Sequence, residues 1–400
     1  MWPRFLSSTY PLESHLFVIS QISLRIIGFY PETPRNSGLI FWAGLNIMVL
    51  VSGIFAEFYY GIHFLSIDVL EALDALCPVQ SSILGVIKIF FIWLYRREFA
   101  ELINRIRVLM NTEVTSSKLA IKRKYFTLAT RLTAMVLFFS SCTTVAYAAR
   151  PLAVNLVRYI NGQDFVFETP FKMMFPQKML AMPIYPITYG LVAWHGFLTG
   201  ISFTGTDSLF LGFCLYCTVL LKCLQEDIQF VLTERDENVD DDEECCAKLS
   251  LLIDRHNELF AMTQKFSRIV VVITLAHFVT SSMIICMSLI DLLLNSGFGI
   301  FVYALHTCAV VTEVFLYCYG GSDIIESVSV AIGTVAYSSQ WYMRDIRIQK
   351  MVLLCIERSQ RSFVINVPFF SPSMPVLAAV RLSFKNIIKS SEKFSKLHLT

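Results

Sequence analysis

The sequence predicts an all-α, polytopic membrane protein with seven transmembrane helices, and three observations carry that prediction. Of 400 residues, 55% are hydrophobic and only 16% charged, against about 25% charged in an ordinary soluble domain. The mean hydropathy of +0.58 is more than the cores of two or three soluble domains would hide, and there are too few charges to clothe their surfaces. The apolar material also comes in blocks of about 20 residues, long enough at about 1.5 Å per residue to cross roughly 30 Å of hydrocarbon.

Taken in order, residues 1–37 carry scattered charges and prolines (Arg4, Pro11, Glu13, Arg25, Pro31, Pro34) and no uncharged run ending in small residues, so they are expected to be a cytoplasmic N-terminal segment rather than a cleavable signal. Residues 38–219 hold four spans, at about 38–59, 69–95, 129–149 and 183–215. Residues 267–319 hold two more, at 267–294 and 298–319. A seventh, weaker span at about 372–390 contains Arg381 and Lys385, whose charges would be costly against lipid; it is expected to face water or protein. Orientation follows from the basic residues of short loops. Arg96, Arg97, Arg105, Arg107, Lys118, Lys122, Arg123 and Lys124 follow the second span, while 60–68 and 295–297 hold no Lys or Arg. The charged loop is therefore assigned to the cytoplasm, the N-terminus with it, and the tail to the outside, although Arg150, Arg158, Lys172, Lys178 and the basic tail (Lys389, Lys393, Lys396) weigh the other way.

No proline occurs from Ile187 to Val367, and Leu220, Leu224, Ile228 and Val231 keep helical spacing past the membrane boundary. Leu249, Leu252, Ile253, His256 and Phe260 repeat the pattern on the return. Residues 220–266 are therefore expected to form two helical stalks beneath the bilayer, joined by the acidic run ERDENVDDDEE (Glu234 to Glu244), which reads as a solvated loop.

Chemistry is conspicuous by its absence. There is no HExxH, GxSxG, Walker A or Rossmann glycine pattern and the seven histidines are dispersed, so no catalytic grouping, metal site or cofactor is expected, and the protein is not expected to be an enzyme. A net charge of +2 gives no reason to expect nucleic acid. The eleven cysteines are odd in number and mostly intramembrane; they read as small buried hydrophobes, the Cys214–Cys217 pair included. The intramembrane ionisable residues Lys88, Arg131, Asp207, Asp291 and Glu313 must face protein or water, and Asp207, in TGTDSLF, is the one expected to pair with a neighbouring helix.

From about Val314 the sequence reads VFLYCYGGSDIIESVSVAIGTVAYSSQWYMRDIRIQK, with RSQRS at Arg358 to Ser362. This stretch strongly resembles the C-terminal third of insect odorant receptors, the markers being FLYCY with its glycines (Phe315 to Gly321) and YSSQWY (Tyr337 to Tyr342). LCP (Leu76 to Pro78), RREF (Arg96 to Phe99) and DSLF (Asp207 to Phe210) also look like the family, so the resemblance runs through most of the chain in span order. The signature of the related gustatory receptors in the last span is missing, and the shared co-receptor has a longer cytoplasmic insertion; the chain looks like a tuning subunit. The family often ends its last helix with an aromatic pair, where this sequence has Ser383, Phe384, Lys385.

The resemblance implies an odorant receptor: the odorant-binding subunit of a ligand-gated, non-selective cation channel that depolarises olfactory sensory neurons, assembled as a heterotetramer with an odorant co-receptor in the plasma membrane of their dendrites. The alternatives are a gustatory-type receptor channel subunit and a seven-helix G-protein-coupled receptor, the latter requiring the opposite orientation. Residues 368–400 would supply the pore-lining helix and an extracellular tail, with Ile387 at the gate and Val376, Val380 and Ser383 beside it. Those positions form a stripe at spacings of three or four that is equally an ordinary packing surface; a ring of Val or Ile there would gate by dewetting. Residues 320–367 would form a cytoplasmic anchor region, with Tyr337, Trp341 and Tyr342 at subunit contacts. The ligand would be a small volatile odorant in a modest cavity, its candidate lining being Leu76, Gln80, Thr143, Tyr147, Trp194, Phe197, Ile201, Phe301 and Leu305. Burying about 200 Å² of apolar surface is worth roughly 5 kcal/mol before association costs, which suits micromolar binding.

Overall fold

The structure, a computed structural model, describes residues 16–34, 36–111, 115–233, 241–294, 298–326 and 331–360, together with 367, 372–373, 375 and 378. The elements are α1 (Val18–Ile27), α2 (Ser37–Phe64), α3 (Val69–Leu94), α4 (Arg96–Met110), α5 (Ser116–Ile160), α6 (Tyr185–Thr233), α7 (Asp241–Leu294), α8 (Phe298–Glu326), α9 (Ile332–Ser338) and α10 (Ile346–Ser359), with short 3₁₀ turns at Gln177–Leu180 and Trp341–Met343. Six of these, α2, α3, α5, α6, α7 and α8, are long and apolar enough to cross a membrane. They coincide with the first six predicted spans. Most of the seventh, and residues 234–240 of the acidic run, lie outside the described residues; the end of that run, from Asp241 to Glu244, is not loop but the first turn of α7. The absence of proline after Ile187 has its expected result: α6 continues to Thr233 and α7 begins at Asp241, far beyond what a bilayer requires.

The chain divides into two compact units. The first comprises residues 1–111, 126–212 and 272–313; the second comprises 112–125, 213–271 and 314–400.

The first unit is assembled by small residues and polar side chains, as expected where lipid gives helices no hydrophobic reason to associate. Gly28 ends α1 in the left-handed region at φ 97°, and a Cβ there would stand 2.9 Å from the Ala43 Cβ; only glycine meets both conditions. The α1 end is then closed by α2, whose Trp42 Nε1 donates to the Ile26 carbonyl at 2.7 Å and whose Asn46 Nδ2 donates to Ile27 at 3.2 Å. Asp68 caps α3 by accepting from the Leu70 and Glu71 amides. Pro78 lies inside α3, removing one backbone donor from the helix. At the amphipathic α4, Arg107 makes a two-pronged pair with Glu32 at 2.8 and 3.0 Å, and that hydrogen-bonded carboxylate raises the guanidinium pKa.

In the second unit, the predicted stalk residues Leu220, Leu224 and Ile228 of α6 and Leu249, Leu252 and His256 of α7 are buried. The Cys245 thiol reaches the Val231 carbonyl at 3.6 Å, tying the returning helix to the outgoing one. Asp242 pairs with Arg344 at 3.2 Å, Asp345 caps α10, and Arg358 lies over the Phe260 ring. Gly333 of α9 lies against Ser359 of α10, where a Cβ would collide with the hydroxyl.

Candidate functional site: an intramembrane cavity

Within the first unit, α3, α5, α6 and α8 line a small cavity. Each helix supplies a face at helical spacing: Pro78, Ser81 and Ser82 from α3; Ser140, Thr143, Thr144 and Tyr147 from α5; Gly196, Thr199, Gly200 and Phe203 from α6; His306, Ala309, Val310 and Glu313 from α8. The remaining wall is Phe171, from the linker between α5 and α6.

That linker is held in place by side chains. Asn155 of α5 accepts from the Val166 amide at 2.9 Å and donates to the Val166 carbonyl at 2.8 Å, mimicking a paired strand. Met174 donates to the Ala56 carbonyl of α2 at 3.1 Å, Tyr185 donates to the Glu168 carbonyl, and Lys172 lies 3.3 Å from Glu71. The result is that Phe171 stacks on Tyr147, centroids 4.9 Å apart, and presents its edge to His195. Gly196 makes room for the ring: a Cβ there would collide with it.

One end of the cavity is a hydrogen-bonded rim. Tyr147 Oη is 3.1 Å from His306 Nδ1, and His306 Nε2 is 3.2 Å from Ser81 Oγ. Beside it the Asp74 carboxylate takes a two-pronged bond from Arg150 and another from Tyr303, an ion pair that lets Arg150 lie largely buried. On a second wall Ser82 bonds His195 Nε2 at 3.1 Å and Thr199 at 3.2 Å; His195 Nε2 is also 3.6 Å from the buried Glu57. Gly53 is what admits His195, whose ring fills the place a Cβ would need.

Two helical turns from His306, Glu313 reaches a charge cluster. Lys88 Nζ is 2.6 Å from Asp207 and 4.2 Å from the centre of the Phe203 ring, so Asp207 does pair with a neighbouring helix and its partner is on α3. Asp207, His277 and Glu313 each bring a potential ligand atom within 4.8 Å of the others. With the Lys88 ammonium already against Asp207, the cluster carries its own cation.

Of the sequence-predicted lining, Thr143 and Tyr147 are on the cavity wall, and Leu305 packs on the apolar cluster containing Tyr147 and Phe171. The others are elsewhere. Leu76 lies against Gly61 of α2, and Gln80 donates to the Met287 sulfur at 2.9 Å. Trp194 and Ile201 pack beside Ile27, Leu50, Ile89 and Leu198, Phe197 stacks on Trp194, and Phe301 is exposed. As cavity lining, sequence reasoning missed Ser81, Ser82, Ser140, Thr199, Phe171, Phe203, His306 and Val310; Glu313 was singled out only as an intramembrane ionisable group that must face protein or water. The available signal was the cluster of hydroxyl and glycine residues (SS at 81–82, SS at 140–141, TGISFTGT at 199–206) in otherwise apolar spans. Of the other assignments, Tyr337 and Tyr342 are exposed and Trp341 is half-buried. Val376, Val380, Ser383 and Ile387 lie outside the described residues.

A bundle of membrane-length helices enclosing a small, largely apolar cavity with a few polar groups defines a polytopic receptor-like membrane protein. Its family is shown by comparison: residues 68–384 match the family model described as 7tm Odorant receptor, and the chain belongs to that family. It is 47% identical over 384 residues to odorant receptor 24a of Drosophila melanogaster, covering 95% of this chain and 96% of that one. It is 31% identical over 408 residues to odorant receptor 10a of the same fly, covering 98% and 99%. The fold is that of the insect olfactory receptor OR5 from Machilis hrabei, with a TM-score of 0.77 at 17% identity over 92% of this chain and 96% of that one. The same receptor in complex with eugenol gives 0.78 at 16% identity, covering 95% and 99%. The protein is an odorant receptor of the tuning type rather than the co-receptor, a multi-pass membrane protein and not an enzyme.

Proposed function

We propose that this receptor binds a small volatile odorant in the cavity between α3, α5, α6 and α8 and gates a cation channel as the ligand-binding partner of an odorant co-receptor in a heterotetramer. The observation that carries the reading is the cavity itself. Its aromatic and aliphatic walls (Phe171, Phe203, Ala309, Val310) and its few oriented polar groups are what a small odorant needs. The odorant-bound relative of the same fold supports the ligand class. Thr143 and Tyr147 are the sequence-predicted residues proposed as contacts, with Leu305 behind them. Conduction is proposed for the last helix, with Val376, Val380, Ser383 and Ile387 along the pore, and subunit contacts for Tyr337, Trp341 and Tyr342, the exposed rings of Tyr337 and Tyr342 being suited to an interface. The site of action is the plasma membrane of olfactory sensory neuron dendrites.

The test is to express the chain with a co-receptor and record current under an odorant panel. Odorant-dependent current is expected, with a loss of at least tenfold in sensitivity for Val310→Phe, which fills the cavity, at unchanged surface expression. An unaltered response of Val310→Phe removes the cavity from the account, and silence of the well-expressed wild type removes the channel.

A further inference from the structure

Glu313 is more than nine-tenths buried, lines the cavity and makes no hydrogen bond among the described residues. A carboxyl group in either protonation state presents an acceptor oxygen, and although His277 and the Lys88–Asp207 pair lie close by, one facing the cavity without a hydrogen bond is an unmet demand, since burying a polar group unpaired is costly. The rest of the wall does not meet it. Thr143 donates to the Phe139 carbonyl at 2.8 Å, Thr144 to Ser140 at 3.0 Å, Ser140 to Gly200 at 2.9 Å and Thr199 to His195 at 3.1 Å. With those protons committed to the backbone, what the four hydroxyls have left to offer is lone pairs and methyl groups. The donors of Tyr147, His306 and Ser81 bond one another at the opposite rim, so the wall made by these four hydroxyls is rich in acceptors and poor in donors.

Resting on the assignment of this cavity as the odorant site, we propose that it selects odorants bearing a hydroxyl group, an alcohol or a phenol, whose O–H donates to Glu313. His306 and Glu313 lie seven residues apart on one face of α8, so the cavity extends along that helix by about 10 Å at about 1.5 Å per residue. A hydroxyl at one end of a hydrocarbon body of six to nine carbons spans that length, the body lying against Phe171, Phe203, Ala309 and Val310. The corresponding methyl ether keeps shape and oxygen but has no proton to give, and it leaves the acceptor oxygen of Glu313 unmet. The penalty is that of a buried acceptor left without its donor, expected to be tenfold or more in affinity.

The experiment compares 1-hexanol and 2-phenylethanol with their methyl ethers, both as agonists of the receptor with its co-receptor and as stabilisers of the purified receptor against heat. In the wild type each alcohol is expected to act at concentrations at least tenfold below its ether. Glu313→Gln keeps an acceptor oxygen and should keep the preference to within a few fold. Glu313→Leu should abolish it, bringing alcohol and ether together. Equal potency and equal thermal stabilisation by alcohol and ether in the wild type overturn the proposal while leaving the cavity as the odorant site; so does an undiminished preference in Glu313→Leu. The wild-type thermal comparison decides the matter even where a variant fails to reach the surface. An absence of any ligand response or stabilisation in the wild type overturns both readings together.

Discussion

At the scale of single residues, the structure buries several full or potential charges at membrane depth, and some of them are made acceptable by a specific neighbour. Lys88 is the sharpest case. It is wholly buried, with its ammonium 2.6 Å from Asp207 and above the Phe203 ring. Replacing such a pair by hydrocarbon is often harmless, whereas removing one member leaves the other uncompensated. Lys88→Met is therefore expected to destabilise the receptor by about 3 kcal/mol, read as a lower melting temperature in detergent. The double variant Lys88→Met with Asp207→Leu should recover more than half of that loss. A single variant as stable as the wild type would show that the pair contributes nothing, and an unrecovered double variant would place the cost in packing. Glycines make the complementary contribution. Gly53 admits the His195 ring and Gly196 the Phe171 ring, so the polar and aromatic walls of the cavity depend on side chains that are not there.

At the scale of elements, the linker from 161 to 184 is an ordered part of the site, because it delivers Phe171 between α5 and α6. Its attachment is concentrated at Asn155, which satisfies both backbone groups of Val166. Asn155→Ala removes both bonds at once, a loss of about 2 kcal/mol at about 1 kcal/mol each. Limited proteolysis should then cut the linker at least tenfold faster than in the wild type, with the melting temperature of the helical bundle little changed; an unchanged cleavage rate would show that the linker is held elsewhere. The helices themselves were legible in the sequence because an apolar run of 20 residues has few alternatives, and the proline-free stretch after Ile187 showed that α6 and α7 would continue as stalks. Which face of each helix meets the cavity was not legible. A soluble helix announces its inner face by a polar outer one, but a helix in lipid is apolar all round, so its phase is undetermined. Thr143 and Tyr147 were found, yet on α6 the sequence drew attention to the bulky Trp194, Phe197 and Ile201, while the cavity took Gly196, Thr199, Gly200 and Phe203 from the neighbouring face. Phe171 was invisible for a different reason: its placement depends on Asn155 and Ala56, contacts no local pattern encodes.

At the scale of the whole molecule, the orientation in the membrane rests on charge. The segment from Arg96 to Lys124 contains eight basic residues that the positive-inside tendency would retain in the cytoplasm, and α4, with Arg97 exposed and Ile103 and Ile106 buried, has the two-sided character of a helix lying along an interface. The linker after α5 is one crossing further on and must emerge on the opposite side. The sequence has no glycosylation motif, so one can be installed on either side without background. Gln163→Thr turns Asn161-Gly162-Gln163 into an acceptor site in an exposed stretch, about 12 residues past the predicted end of the third span; Glu113→Thr does the same for Asn111 on the other side. With the N-terminus in the cytoplasm, only the Gln163→Thr receptor should acquire a glycan, seen as a slower band that an endoglycosidase restores. A glycan on the Glu113→Thr receptor alone would invert the topology. It would also move the linker bearing Phe171 to the cytoplasmic side, so that odorants from outside would meet the far end of the cavity first.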